Sequence, residues 1–186
     1  MKMPPRQIIL IGGGVRCGKS DFALSLARRL GPRRLFLATA QAGDDEMAER
    51  IRRHRQNRGD DFMTIEEPLA IPDAILRHAD FDVLVLDCLT LWLSNLLLHG
   101  SGEDQVLQHV DDLLAVLAKR TGHAVIITNE VGMGIVPESA LARRFRDVAG
   151  LAHRRISEAA DEVYLAVLGT IVRIKSRLEF PGEPVA

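Results

Sequence analysis

The sequence predicts an α/β fold, a mainly parallel central sheet flanked by helices. Three observations carry this. Short runs such as Ile8 to Ile11, Val83 to Leu86 and Ala124 to Thr128 are apolar almost throughout, as strands are when both faces are covered. Segments with helical spacing separate these runs, the alternation expected of layered α/β architecture. A glycine-rich stretch, Gly13 to Ser20, lies between the first run and a helical segment. In such sheets ligands bind at the carboxyl ends of the strands.

The elements follow in order. Ile8 to Ile11 is a buried strand. Lys19 to Leu30 is a helix with Phe22, Leu26 and Leu30 in register, stopped by Gly31-Pro32. Leu35 to Ala38 is a second strand. Asp44 to Arg55 is a helix with acids in its first turn and arginines in its last, the polarity that a helix dipole favours. Phe62 to Ile65 is a short strand and Pro72 to Ala79 a helix. Val83 to Leu86 is a strand ending in Asp87, and Leu89 to Leu98 an apolar helix before a Gly-Ser-Gly break. Gln105 to Lys119 is amphipathic, with Val106, Val110, Leu113 and Leu117 on one side. Ala124 to Thr128 is a strand, Glu130 to Pro137 a glycine-containing loop and Ser139 to Ala160 a long helix. Val163 to Val167 and Ile171 to Ile174 form a candidate antiparallel hairpin around Gly169-Thr170.

The chain of 186 residues is expected to form a single domain across 1–186. With 47% hydrophobic and 26% charged residues it is not a disordered sequence. The net charge of −1 provides no global basic field, so a general nucleic-acid binder is disfavoured. Four of the 24 basic residues are lysines, Lys2, Lys19, Lys119 and Lys175, and the rest are arginines. The two cysteines, Cys17 and Cys88, form no C-x-x-C and no metal-ligand spacing. Met1 to Arg6 has no apolar signal core, and Val83 to Leu98 is interrupted by Asp87, Thr90, Ser94 and Asn95. No membrane span is expected, and a reducing cytoplasm is the expected setting.

Gly13-Gly14-Val15-Arg16-Cys17-Gly18-Lys19-Ser20 fits the phosphate-loop pattern G-x-x-x-x-G-K-[ST] in its required strand-to-helix context. Gly18 lets the backbone approach phosphates, whose charge the loop N–H groups and the helix N-terminus bind. Lys19 is expected to reach the β- and γ-phosphates and Ser20 to ligate Mg²⁺. Asp87 closes an apolar strand, where a carboxylate can hold Mg²⁺ directly or through water. An acid there can equally cap the next helix. Cys17 reads as a small residue in a tight loop and Cys88 as a core residue.

Arg50, Arg52, Arg53, His54, Arg55 and Arg58 crowd one helix end. Such a cluster can simply be a solvated end stabilised by the dipole. Yet Met47, Ile51 and His54 share one helical stripe, the apolar one, which turns His54 inward. Surrounding arginines keep the imidazole neutral and nucleophilic, and can bind a triphosphate. His78, His99, His109, His123 and His153 have no such setting and are read as surface residues.

Taken together, several motifs resemble a known family. They are the phosphate loop, Ala38-Thr39-Ala40-Gln41, Asp45 to Ile51 with His54, Thr128-Asn129-Glu130-Val131-Gly132-Met133-Gly134-Ile135-Val136-Pro137, Arg143 to Gly150, and Ala160-Asp161-Glu162-Val163. The chain resembles the bifunctional adenosylcobinamide kinases / adenosylcobinamide-phosphate guanylyltransferases of cobalamin biosynthesis over roughly Ile8 to Lys175. The Asn129 to Pro137 run is the most specific part. The resemblance implies a RecA-like P-loop NTPase fold, a homotrimer, and two reactions with ATP or GTP and Mg²⁺. In the first, a nucleoside triphosphate phosphorylates the aminopropanol hydroxyl of adenosylcobinamide. In the second, GMP passes from GTP through a covalent histidine to adenosylcobinamide phosphate, releasing pyrophosphate. His54 matches the family's histidine, and Lys19 is the second catalytic candidate. The implied nucleotide contacts are Gly13, Gly14, Val15, Arg16, Cys17, Gly18, Lys19, Ser20, Thr39, Ala40, Gln41, Arg55, Gln56, Asn57, Arg58, Glu66 and Asp87, with Ser20 and Asp87 as metal ligands. The chain departs from the family at Cys17 (often serine), at Gly14-Val15 (often a shorter Gly-Ala), at Asp87 (glutamate in some members) and at Gly59-Asp60, where a proline is common.

Three other readings compete. A GTP-binding switch needs an N-K-x-D guanine motif, which Asn129-Glu130-Val131-Gly132 does not satisfy. A P-loop small-molecule kinase needs no nucleophilic histidine. A RecA-like ATPase acting on nucleic acid is disfavoured by the neutral charge and by the single tyrosine and tryptophan.

Overall fold

The computed structural model describes residues 6–43 and 45–176, with all their side chains except those of Met47, Arg50, His54 and Asn57. In chain order its elements are β1 (Ile8–Gly13), α1 (Lys19–Leu30), β2 (Arg34–Ala38), α2 (Asp45–Arg58), β3 (Met63–Glu66), α3 (Ile71–Arg77) and β4 (Val83–Asp87). Then come α4 (Leu89–Leu98), α5 (Glu103–Lys119), β5 (His123–Ile127), α6 (Ala140–Ala159), β6 (Glu162–Val167) and β7 (Thr170–Lys175). The strands join in one sheet in the order β3-β2-β4-β5-β1-β6-β7. All neighbours are parallel except β6 and β7.

The period-two alternation of a strand divides each apolar run between two cores. Leu10, Leu37, Leu86 and Ile126 face the layer built by α3, α4, α5 and α6. Ile9, Phe36, Val85 and Ile127 face α1, where Ala23, Leu24 and Ala27 cover them. This is why the strands read as apolar at every position. Helix α4 is apolar all round because it is enclosed: Leu89, Trp92 and Leu93 are fully buried and the Trp92 indole donates to Leu69 O at 2.8 Å. Its apolar surface is therefore used within the chain, with Leu98 its exposed large apolar residue.

The expected elements are all present, with shifted ends. The second helix runs to Arg58 rather than Arg55, which brings Arg58 onto a helix. The hairpin turns at Leu168-Gly169 rather than Gly169-Thr170. Both central residues have positive φ (50° and 76°), the turn whose twist suits two-residue hairpins.

The parallel strands end on one side of the sheet. Their register places Glu66 and Asp87 on either side of Ala38, with Ile127 and then Ile11 next in the row. That row belongs to the α1 face, so both carboxylates rise at the strand ends on the side of the sheet that carries the phosphate loop.

Candidate active site

The phosphate loop is built by close packing at its start and by a left-handed residue at its end. A Cβ on Gly13 would lie 2.4 Å from Ala166 O and 2.9 Å from Cys17 Sγ, so only glycine fits. Gly18 has φ +90°, which glycine adopts without strain. Helix α1 then begins at Lys19 with no side-chain cap, leaving its first N–H groups to the loop. Lys19 is buried, and its ammonium donates to Gly14 O at 2.7 Å.

Across the sheet, Thr39 clamps the end of β4. Its hydroxyl donates to Cys88 O at 2.8 Å and accepts from Cys88 N at 2.9 Å. The Thr39 N–H donates to Asp87 O at 3.0 Å, and Asn95 Nδ2 donates to Thr39 O at 2.9 Å. Asp87 is thereby held at a fixed height beside the loop. Burial pushes the Cys88 thiol up, with Asp87 as a second cause, and the residue is buried as expected of a core residue. Cys17 is also buried, its sulfur against the start of the loop.

Between these parts lies a cavity of about 540 Å³, within the range of nucleotide and cofactor sites. Of the residues anticipated from sequence, Val15, Arg16, Cys17, Gly18, Lys19, Ser20, Ala40, Arg58, Glu66 and Asp87 line it. Gly13, Gly14, Thr39, Gln41, Arg55 and Gln56 stand outside the lining: Thr39 and Gly13 support it from behind, and Arg55 pairs with Glu66 at 3.4 Å. The side chains of His54 and Asn57, and that of Met47 on the same anticipated stripe, lie outside the described residues. Ile51 of that stripe does line the cavity.

Arg58 is, with Lys19, a cation that the structure buries here. Its guanidinium lies 3.8 Å over the Phe36 ring, and its Nε has no hydrogen-bond partner among the described residues. Burial pushes its pKa down, opposed by the charge of Asp87. Gly59, at φ +71°, ends α2 in the left-handed conformation. Arg28 then fastens the exit, donating to Arg58 O at 3.0 Å and to Asp61 at 2.8 Å. The departure at Gly59-Asp60 is thus a helix stop followed by a tether.

Phe36, Leu91, Cys88 and Asn129 also line the cavity and are not singled out as site residues by the sequence. Asn129 carries one signal, its place in the motif Thr128 to Pro137. The others look like ordinary core residues until strand register brings them to the cavity.

Of the five histidines read as surface residues, His123 is buried, His78, His109 and His153 are half-buried and His99 is exposed. His123 is 1% exposed at the start of β5, and burial lowers its pKa against the pull of Asp161 and Asp82. His153, on α6, places Nε2 2.7 Å from Thr128 Oγ1. Burial lowers its pKa too, opposed by Glu130.

Ser20 and Asp87 both line the cavity and offer a hydroxyl and a carboxylate, the hard oxygen donors that suit Mg²⁺. Among the described residues no group of three or more His, Cys, Asp or Glu could hold a metal. A cation here would complete its shell with phosphate and water oxygens.

The model of the cobinamide kinase / cobinamide phosphate guanyltransferase family matches residues 9–174. The chain belongs to this family. It is 40% identical to the bifunctional adenosylcobalamin biosynthesis protein CobU of Escherichia coli (strain K12), over 90% of this chain and 99% of that protein. It is 41% identical to the bifunctional adenosylcobalamin biosynthesis protein CobP of Pseudomonas aeruginosa, over 95% of this chain and 98% of that protein. Solved structures resemble it at the level of fold. RadB recombinase aligns with a TM-score of 0.57 at 14% identity, covering 95% of this chain and 84% of that one. The flagellar accessory protein FlaH of Methanocaldococcus jannaschii aligns with a TM-score of 0.54 at 13% identity, covering 94% of this chain and 80% of that one. The expected RecA-like P-loop fold is therefore the observed one. Among the described residues no helix is long and apolar enough to cross a membrane.

Proposed function

We propose that this chain carries out both reactions of its family in cobalamin biosynthesis. It phosphorylates adenosylcobinamide with ATP or GTP, then transfers GMP from GTP to adenosylcobinamide phosphate through His54, giving adenosylcobinamide-GDP and pyrophosphate. The supporting observation is that α2 and the phosphate loop serve one cavity. Ile51 and Arg58 of α2 line it together with Lys19 and Ser20. Position 54 falls three residues after Ile51 and four before Arg58, spacings that share one face of a helix.

The residues have separate tasks. The loop N–H groups and Lys19 hold the triphosphate and offset its charge. Arg58, stacked on Phe36 with an Nε that has no partner among the described residues, is a preorganised cation for phosphate oxygens. In guanylyl transfer the imidazole of His54 attacks the α-phosphorus, forming an N–P bond as the bond to the pyrophosphate oxygen breaks. The phosphate of adenosylcobinamide phosphate then displaces the histidine, so one difficult transfer becomes two. Ser20 and Asp87 would hold Mg²⁺, which supplies charge neutralisation on the phosphates. The remaining nucleotide contacts carried over from the family, Thr39 to Gln41 and Arg55 to Asn57 among them, and the homotrimer and cytoplasmic setting, belong to the same reading.

The test is covalent labelling. Wild type and His54→Ala are incubated with Mg²⁺ and GTP labelled at the α-phosphate, then denatured. Acid-labile, base-stable label on wild type alone is expected. No protein-bound label, with GTP still bound, would reduce the protein to a kinase.

A further inference from the structure

The strand end beyond Ile127 holds a polar residue that the phosphate-binding machinery does not use. Asn129 lines the cavity with Lys19, Ser20 and Asp87. Its backbone is fixed on both sides: Thr128 N–H donates to Ile11 O at 3.0 Å and Glu130 N–H donates to Gly13 O at 3.1 Å. Its own N–H donates to Thr90 Oγ1 at 3.4 Å. The carboxamide nitrogen donates to Thr90 Oγ1 at 3.1 Å and to Cys88 Sγ at 3.6 Å. These contacts occupy the donor end of the amide. Among the described residues none donates to its oxygen.

A carboxamide oxygen accepts hydrogen bonds and repels other acceptors. Phosphate oxygens are acceptors, so this atom is poorly suited to the triphosphate. It is suited to a hydroxyl. We infer that Asn129 receives the hydrogen bond of the alcohol that is phosphorylated, and so orients that hydroxyl toward the γ-phosphorus. The inference rests on the kinase half of the function proposed above. In the step, the alcohol oxygen forms a bond to the γ-phosphorus. The bond from that phosphorus to the β,γ-bridging oxygen breaks, its electron pair leaves with the nucleoside diphosphate, and the hydroxyl proton goes to solvent. The amide is too weak a base to take that proton; its part is orientation, which Thr90 and the two anchored neighbours make rigid.

The two half-reactions separate this role from a structural one. GMP transfer onto adenosylcobinamide phosphate uses no alcohol nucleophile. Asn129→Ala is expected to lower kcat for phosphorylation about 10- to 100-fold. KM for the nucleotide and the rate of GMP transfer onto presynthesised adenosylcobinamide phosphate should stay near wild type. Asn129→Asp, which keeps an acceptor oxygen of the same reach, should recover part of the kcat, and thermal melting of both variants checks folding. Equal losses in both half-reactions, or a raised nucleotide KM with unchanged kcat, would assign the amide to the nucleotide or to the fold and overturn the inference. So would a kinase rate equal to wild type. A wild-type protein that phosphorylates nothing would instead remove the proposed function beneath it.

Discussion

Helices α1 and α2 both reach the cavity, but they are held there differently. Helix α1 buries Lys19, Ala23, Leu24 and Ala27 against the sheet. Its position follows from the core, and the phosphate loop inherits that rigidity. Among the described side chains of α2 only Arg58 is buried, Glu49 and Ile51 are half-buried, and the rest are exposed. Much of its surface is arginine, and its internal ion pairs, Glu49 with Arg52 and with Arg53, lie in solvent. One helix fixes the phosphate loop by packing. The other borders the cavity from an element with little core of its own, and such elements lie at the low end of local stability.

The strongest way to break this contrast is to truncate one apolar side chain on each helix. Leu24→Ala should cost about 2–5 kcal/mol of stability, because it opens a void under the sheet. Ile51→Ala should cost about 1 kcal/mol or less, yet lower GMP transfer, since Ile51 lines the cavity. Urea unfolding alongside label incorporation reads both. Equal stability losses would mean that α2 is as much a part of the core as α1.

A smaller effect sharpens the comparison through pH. Buried His123 and half-buried His153 belong to the packed body, in β5 and α6. Both have pKa values lowered from 6.5 by burial. The unfolded chain therefore binds more protons as pH falls below that value, and stability declines from about pH 7 toward 5. The low-lying carboxylates Asp61 and Asp82 add to this loss only below their ordinary value of 3.8. Urea midpoints at pH 7 and 5 check the sign, and His123→Asn should flatten the slope. A midpoint that rises on acidification would contradict it.

The smallest effect is expected at the ion pairs of α2. Glu49→Ala removes its pairs with Arg52 and with Arg53, each worth about 0.3–0.5 kcal/mol. Unfolding midpoints should scarcely move, and a loss above about 1 kcal/mol would show that α2 depends on its charges.

The limits of legibility follow the same division. The boundaries of α1 are readable to the residue, because its apolar spacing and the Gly31-Pro32 stop are local. The end of α2 is not, because Gly59 terminates it beyond the acid-to-base pattern visible in sequence. His123 and His153 look like any polar residue along the chain. Only the packing of β5 beside β4 and the approach of α6 to Thr128 show that the first is buried and the second half-buried.

By itself the sequence determined the layered α/β fold and the phosphate loop, which rest on local patterning, and the family, which rests on a resemblance across roughly Ile8 to Lys175. Only the tertiary structure decided that Arg58 stacks on Phe36, that Thr39 braces Cys88 rather than lining the cavity, and that Asn129 reaches the same cavity as Lys19 with its amide nitrogen held by Thr90. Those facts depend on the register of strands far apart in sequence, which side-chain periodicity constrains to a face but not to a neighbour.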